Sequence, residues 1–113
     1  MCTLTLGWRV FDDAPVAVAA NRDELLGRPS EPPSVVDGDP SVLAPRDADA
    51  GGTWIGHNEP GVLAAITNRW VDVPGGGERS RGLLVRDVLG AASTHEARGI
   101  VADAVATDAY DGF

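Results

Sequence analysis

The chain has 113 residues, a net charge of −8 and 43% hydrophobic residues, which suits one globular domain with a modest core. The acidic balance disfavours nucleic acid and anionic membrane as partners, because phosphate contacts need clustered cations. No apolar run is long enough to span a bilayer and no N-terminal segment has the pattern of a signal peptide, so we expect a cytoplasmic protein without a membrane span.

The first half of the chain predicts one hairpin and a long loop. Residues 3–11 alternate apolar and polar side chains, as a strand does, and the turn at 12–15 leads to a short apolar run at 16–20. Because this second strand does not alternate, we expect both of its faces to be buried. Residues 27–52 are rich in Pro, Gly, Asp and Ser and predict a surface loop, with at most a short strand at 41–44.

The middle of the chain predicts a second hairpin. Its strands cover residues 53–57 and 62–70. The connection Glu59-Pro60-Gly61 fits a type II turn, with Pro in its second position and Gly in its third. A Gly-rich loop at 72–79 follows the hairpin.

Two helices are predicted after this loop, because apolar residues recur at helical spacing: Leu84, Val85, Val88 and Leu89 in the first, and Ala97, Ile100, Val101, Ala104 and Val105 in the second. Ser80 is placed to cap the first helix, and Ser93-Thr94-His95-Glu96 is a capping box for the second. Hairpins followed by helices predict an α+β fold with the helices on one face of an antiparallel sheet. The other face then lacks a cover, and a new strand is predicted to begin at residue 111. We therefore expect a single incomplete domain over residues 1–113, completed by a C-terminal half or by a second copy.

Cys2 is the first residue with a candidate chemical role. A small second residue permits removal of Met1, which gives Cys2 its own α-amine. Such an amine has an ordinary pKa of about 7.7–8.0 and acts as a local base near neutral pH. A thiol whose base belongs to the same residue is an activated nucleophile. The alternative is a small apolar residue at a strand start, because free Cys is often buried and inert.

Asp23, Asn68 and Trp54 are further candidates. Asp23 ends the second strand, which returns beside the N-terminus, so its carboxylate is placed to hold the Cys2 amine. Asn68 lies near the end of the fourth strand, where its amide can donate to a developing oxyanion. Trp54 follows two glycines and is either a pocket wall or a core residue. The alternatives for Asp23 and Asn68 are an ordinary ion pair and an ordinary strand end.

Several short motifs follow one another in the order of a known family. They are Met1-Cys2-Thr3, Ala20-Asn21-Arg22-Asp23-Glu24, Gly51-Gly52-Thr53-Trp54, Asn58-Glu59-Pro60-Gly61, Thr67-Asn68-Arg69 and Ser80-Arg81-Gly82. With these motifs the chain resembles the NRDE (TANGO2-like) family. That family is in turn similar to the choloylglycine hydrolase and penicillin V acylase branch of the N-terminal-nucleophile hydrolases.

The resemblance implies a four-layer αββα sandwich, of which this chain covers the N-terminal half. It also implies hydrolysis of a non-peptide amide through an acyl-cysteine. By the same resemblance Cys2 is the nucleophile, Asp23 assists its amine and Asn68 helps to form the oxyanion hole. The residues expected to bind the substrate are Asn21, Arg22 and Trp54.

Two functions stay open at this point, beside the possibility that the chain is a fragment with no independent function. One is the amide hydrolase, and the other is a non-catalytic binding or trafficking protein, because TANGO2-like relatives have been linked to haem movement and to lipid or acyl-CoA homeostasis. The expected ligand is accordingly a small-molecule amide, a lipid or haem. No cofactor is expected. No metal is expected either, because His57 and His95 lack ligand spacing, and a lone His is more often structural than a haem ligand.

Overall fold

The structure, a computed structural model, describes residues 2–69 and 77–113. Within those residues six strands precede two helices, which confirms the predicted α+β class. Trp70 and most of the predicted Gly-rich loop lie outside the described residues. The elements are β1 (Thr3–Trp8), β2 (Val16–Asn21), β3 (Ser30–Val36), β4 (Val42–Asp47), β5 (Ile55–Asn58), β6 (Leu63–Ala65), α1 (Arg81–Val88) and α2 (Thr94–Thr107).

The first hairpin, β1 and β2, is a separate two-stranded antiparallel sheet. Residues directly opposite each other in such a pair share a face. One face is therefore entirely apolar, and we call it the apolar hairpin face; it consists of Leu4, Leu6, Trp8, Val16, Val18 and Ala20. This face is open, since Leu6 is 54% exposed and Trp8 is 64% exposed.

The prediction that the second strand is buried on both faces was wrong. Four of the six residues of β2 are exposed, and only Ala17 and Val18 are half-buried. On the side opposite the apolar hairpin face, Val10 and Phe11 fold back over Gly7. The apolar run at 16–20 is therefore a strand of a small sheet that is mostly exposed on both faces rather than a buried strand.

The second sheet contains β3, β4, β5 and β6 in chain order, all antiparallel. Residues 27–52 were predicted to be mainly loop, but β3 and β4 pair across residues 30–47. Pro32 and Pro33 hid β3, because proline removes a ladder hydrogen bond and argues against a strand. They are tolerated because β3 is an edge strand and its register shifts between Glu31 and Ser34.

The turn between β5 and β6 differs from its prediction by one position. The Gly61 N–H donates to the Asn58 carbonyl at 3.0 Å, so Pro60 occupies the third position of the turn rather than the second. Gly61 follows with a φ of 96°, which glycine adopts without strain. The strand predicted at 62–70 is also shorter in the structure, where it is β6 and ends at Ala65.

The helices pack together and against the β6 side of the second sheet. In α1, Leu84, Val85 and Val88 are buried, as the spacing predicted. The core cluster consists of Val62, Leu84, Val88, Ala91, Ala97 and Ala104. Leu89 lies over Gly56 of β5, where even a Cβ would overlap it.

The predicted strand start at residue 111 is not a strand in the structure. Instead this segment lies beside the residues that precede α1. The Gly112 carbonyl accepts from the Arg69 N–H at 3.1 Å and from the Arg81 guanidinium at 2.7 Å. Arg79 donates to Asp87, Asp108 and Tyr110, and the hydrogen bonds with Asp87, foremost, and with Tyr110 raise the pKa of Arg79.

The two helix starts differ in how they are capped. The Ser93 hydroxyl accepts from the Glu96 N–H at 3.2 Å, and the Glu96 carboxylate accepts from the Ala92 N–H at 2.9 Å, so the predicted capping box forms with its return bond one residue earlier. Ser80 occupies the N-cap position of α1, but its side chain makes no capping hydrogen bond.

We expect Ser93→Ala to lower the free energy of unfolding by about 1 kcal/mol, because the Glu96 N–H loses its acceptor. Ser80→Ala is the matched control and should cost less than about 0.5 kcal/mol. Urea denaturation followed by circular dichroism measures both values. Equal losses for the two variants would contradict this assignment of the caps.

Candidate functional site

Three separated stretches of chain meet around one cleft with a volume of about 80 Å³. Cys2 lies just before β1, Asp23 lies just after β2, and Asn68 lies beyond β6. The structure thus brings together all three residues predicted to be catalytic. The cleft is also lined by Arg22, Asp47 and Trp54.

Cys2 is half-buried and its sulfur contacts the backbone of Asp23. The Asp23 N–H donates to the Cys2 Sγ at 3.3 Å, and the Sγ lies 3.9 Å from the Asp23 carbonyl oxygen. The register of the hairpin explains this contact. Thr3 pairs with Asn21, so Cys2 lies beside Arg22, and its sulfur reaches the N–H of the following residue, Asp23. A backbone N–H aimed at sulfur is a contact that stabilises negative charge on a nucleophile.

Asn21, which was predicted to bind the substrate, does not line the cleft. Its side-chain oxygen accepts from the Thr3 N–H at 2.7 Å and so closes the end of the hairpin. Side chains alternate between the faces of a strand, so Asn21 points away from the side on which Cys2 and Arg22 lie.

Asn68 lines the cleft from a stretch that follows β6 and is not part of a strand. The stretch is held at both ends, because the Ile66 N–H donates to the Trp54 carbonyl at 3.0 Å and the Arg69 N–H donates to Gly112. Asn68 is exposed, so its amide is accessible to a bound molecule.

Arg22 and Trp54 form one wall of the cleft. The guanidinium carbon of Arg22 lies 4.5 Å from the centroid of the Trp54 ring, a cation–π geometry. Trp54 is half-buried, so of its two predicted roles the pocket wall fits the structure better than the core.

Asp47 is a cleft residue that the sequence did not indicate. Its carboxylate accepts from Arg22 at 3.0 Å, from Arg28 at 2.8 Å and from two backbone N–H groups. Burial raises the pKa of Asp47, but hydrogen bonds from the Ala50 N–H, Arg28 and the Asp49 N–H outweigh it, and the pKa lies below its ordinary value. The signal that the sequence offers for Asp47 is local: Asp favours Asx turns, in which its side chain accepts from a backbone N–H two residues further along the chain.

Gly52 and Gly82 allow the start of α1, the last wall of the cleft, to lie close to Thr53. The Thr53 N–H donates to the Gly82 carbonyl at 3.0 Å, and a Cβ at Gly52 would overlap the Gly82 carbonyl and lie 2.6 Å from the Leu83 nitrogen. This close crossing of two backbones brings the start of α1 to the cleft, where Ser80, Arg81 and Gly82 line it.

Residues 2–69 and 77–113 contain no group of three or more His, Cys, Asp or Glu side chains arranged to hold a metal ion. His57 is exposed and does not line the cleft. In the same described stretches, neither helix has the length and hydropathy needed to cross a bilayer.

Comparison with known proteins identifies the family. A family model described as Transport and Golgi organisation 2 matches residues 1–113. The chain belongs to the Transport and Golgi organisation 2 family. This finding confirms the family resemblance that the ordered motifs indicated.

Curated Transport and Golgi organisation 2 relatives show the same similarity. The "Transport and Golgi organization 2 homolog" of Mus musculus and the "Transport and Golgi organization protein 2 homolog" of Homo sapiens are each 36% identical to the chain over 89 residues. The alignment covers 70% of the chain and 32% of each relative, so the chain spans about a third of the length of the relatives it matches. No solved structure matches the chain significantly.

Proposed function

We propose that this chain carries the nucleophile of an amide hydrolase, with Cys2 as the attacking residue once Met1 is removed. The observation that supports this most is the cleft, which brings Cys2, Asp23 and Asn68 together. In addition, the Asp23 N–H donates to the Cys2 sulfur. A nucleophile, an assisting carboxylate and a donor for an oxyanion are the parts that acyl transfer needs.

The proposed reaction proceeds in two halves. The Cys2 α-amine takes the thiol proton, and the sulfur attacks the amide carbonyl carbon. Asn68 donates to the resulting oxyanion, and the α-ammonium returns its proton to the departing nitrogen, which leaves as an amine. Water, deprotonated by the α-amine, then attacks the acyl-cysteine and releases a carboxylic acid with the thiol restored. Asp23 orients the amine throughout.

The cleft limits which part of a substrate lies inside it. Its volume of about 80 Å³ is well below the roughly 300–1,000 Å³ of sites that enclose drug-sized ligands. We therefore propose that it admits the scissile amide and its immediate neighbours, while the rest of a small-molecule substrate lies outside. Haem is too large for this cleft as the described residues form it.

A second candidate function is ligand carriage without catalysis. The observation that favours it is the apolar hairpin face, which exposes Leu6 and Trp8 on the strand that follows Cys2. Contiguous exposed apolar surface commonly marks a site for a lipid, another apolar ligand or a partner. A carrier of haem or of an acyl compound needs such a surface and has no need of the Cys2 thiol.

We also propose that residues 1–113 form part of a larger αββα domain. The isolated first hairpin supports this, because two strands alone are marginally stable in water and need a further layer. The relatives are about three times as long as the matched region, so a C-terminal half supplied by a further polypeptide segment is the expected cover, with a second copy as the alternative.

Intact-mass spectrometry with a brief iodoacetamide pulse at several pH values, followed by an amide-substrate screen, tests the proposal. We expect loss of Met1, rapid alkylation of Cys2 and no hydrolysis by Cys2→Ala. Asn68→Ala should lower kcat by about 100-fold, as loss of one oxyanion donor does. His57→Ala, a change at an exposed residue outside the cleft, is the matched control. Retention of Met1, or a wild type that hydrolyses no amide, would refute the hydrolase and favour carriage, and hydrolysis undiminished in Cys2→Ala would refute Cys2 as the nucleophile.

A further inference from the structure

The two oxygens of the Asp47 carboxylate make different contacts. Oδ1 accepts from the Asp49 N–H at 3.0 Å and from the Ala50 N–H at 3.1 Å. The backbone completes this turn, because the Asp47 N–H donates to the Gly52 carbonyl and the Gly51 N–H donates to the Asp47 carbonyl, each at 2.8 Å. Oδ1 therefore holds the turn that leads from β4 to Trp54.

Oδ2 contacts two arginines, of which Arg22 lines the cleft. It accepts from Arg22 Nη2 at 3.0 Å and from Arg28 Nη2 at 2.8 Å. The hydrogen bond with Asp47 is also the largest cause of the raised pKa of Arg28. Arg22 follows β2 and Trp54 precedes β5, so the carboxylate joins two parts of the chain that do not otherwise pair in a sheet.

The burial of this carboxylate with its arginines costs free energy. The side chains of Arg22 and Asp47 are only 17% and 13% exposed, and removing charges from water is expensive. The ion pair fixes the position of Arg22, because an arginine side chain has several free dihedral angles and here its guanidinium is held over the Trp54 ring. A guanidinium fixed in this way is a rigid, planar donor for an oxygen atom of a bound molecule.

We infer that Asp47 is a positioning residue of the Cys2 cleft: it holds Arg22 over Trp54 and so fixes the wall against which the substrate lies. The part of this inference that concerns substrate rests on the proposed function, whereas the positioning of Arg22 does not. Asp47 acts through Arg22 and through the turn, and takes no part in the bond changes at Cys2.

Asp47→Asn separates the two contacts of the carboxylate. The amide oxygen can still accept from the turn, but the amide nitrogen then faces the arginines as donor against donor. Asp47→Ala removes both contacts. Glu31→Gln is the matched control, because it removes one negative charge from the exposed pair of Glu31 and Arg46, at 3.3 Å.

Nuclear magnetic resonance of the full chain tests the positioning without any substrate. In the wild type, the δ-methylene protons of Arg22 should be shifted upfield by the Trp54 ring, and Trp54→Leu should abolish this shift. Asp47→Asn should abolish it too while leaving the Asp49 and Ala50 amides slow to exchange, and Glu31→Gln should change neither. An upfield shift that survives in Asp47→Asn, or is absent from the wild type, would overturn the inference.

Kinetics test the consequence for substrate. On an amide that the wild type hydrolyses, Asp47→Asn should raise KM about tenfold with kcat within about twofold, because one hydrogen bond to a charged donor is lost while the reacting atoms are untouched. An equal fall in kcat with unchanged KM would contradict the positioning role. If no amide is hydrolysed, the proposed function fails, and the resonance experiment decides the positioning of Arg22 alone.

Discussion

Asn58→Ala is expected to lower the free energy of unfolding by about 3 kcal/mol or more. Asn58 is 1% exposed and is one of the largest fully buried side chains among the described residues. Its Nδ2 donates to the carbonyls of Leu89 and Ala91 at 2.9 and 2.7 Å, and its Oδ1 accepts from the Val62 N–H at 2.8 Å. One side chain thus satisfies three backbone groups in the interior.

The size of this effect follows from what the substitution leaves behind. Each buried polar group without a partner costs about 1–3 kcal/mol, and a water molecule in the vacated space recovers part of that. Small domains have a total stability of about 5–15 kcal/mol, so the variant should be partly unfolded at moderate temperature. The contacts with Leu89 and Ala91 also join the β5–β6 turn to the end of α1, so both regions should lose order together.

Urea denaturation followed by circular dichroism measures the change. His57→Ala is the matched control, because His57 neighbours Asn58 on the same strand but is exposed, and surface changes stay within about 0.5 kcal/mol. A loss of less than about 1 kcal/mol for Asn58→Ala would show that the three hydrogen bonds are not important for stability.

Asn58 and Asp47 show what could not be predicted from the sequence. Asn58 belongs to a motif that was interpreted as a turn, and the turn is present, but two of its three side-chain partners lie 31 and 33 residues further along the chain. Asp47 lies in a stretch interpreted as loop because of its proline and glycine content. Contacts over such separations leave no periodic signal, since the periodicity of apolar residues indicates only which face of a helix or strand is buried.

The elements that were predicted correctly have local causes. The β1–β2 hairpin follows from alternation and a turn, and α1 and α2 follow from apolar spacing and from the capping box at Ser93. The meeting of Cys2 and Asp23 follows from the same hairpin, because an antiparallel strand returns to its start. Asn68 was a candidate donor from its place near a predicted strand end, but its place in the cleft depends on backbone contacts with Trp54 and Gly112, which are distant in the sequence.

The second large effect is expected for Gly52→Ala, which should lower the free energy of unfolding by about 2 kcal/mol, within the usual cost of overpacking. A Cβ at Gly52 would overlap the Gly82 backbone, and backbone atoms at a helix start cannot rotate aside as a side chain does. The start of α1 must then move away from Thr53, and the hydrogen bond from the Thr53 N–H to the Gly82 carbonyl is weakened.

Because Ser80, Arg81 and Gly82 line the cleft, this displacement should also make Cys2 more accessible and raise its rate of alkylation by iodoacetamide. Gly99→Ala is the matched control with the opposite sign: a Cβ at Gly99 meets nothing within 4 Å in α2, so alanine should stabilise the helix by about 0.5–1 kcal/mol and leave the alkylation rate unchanged. If Gly52→Ala kept both the stability and the alkylation rate of the wild type, the crossing of Gly52 and Gly82 would not be what holds α1 against the cleft. The approach of α1 would then have to depend on the contacts of Arg81 and Arg79 with the C-terminal segment.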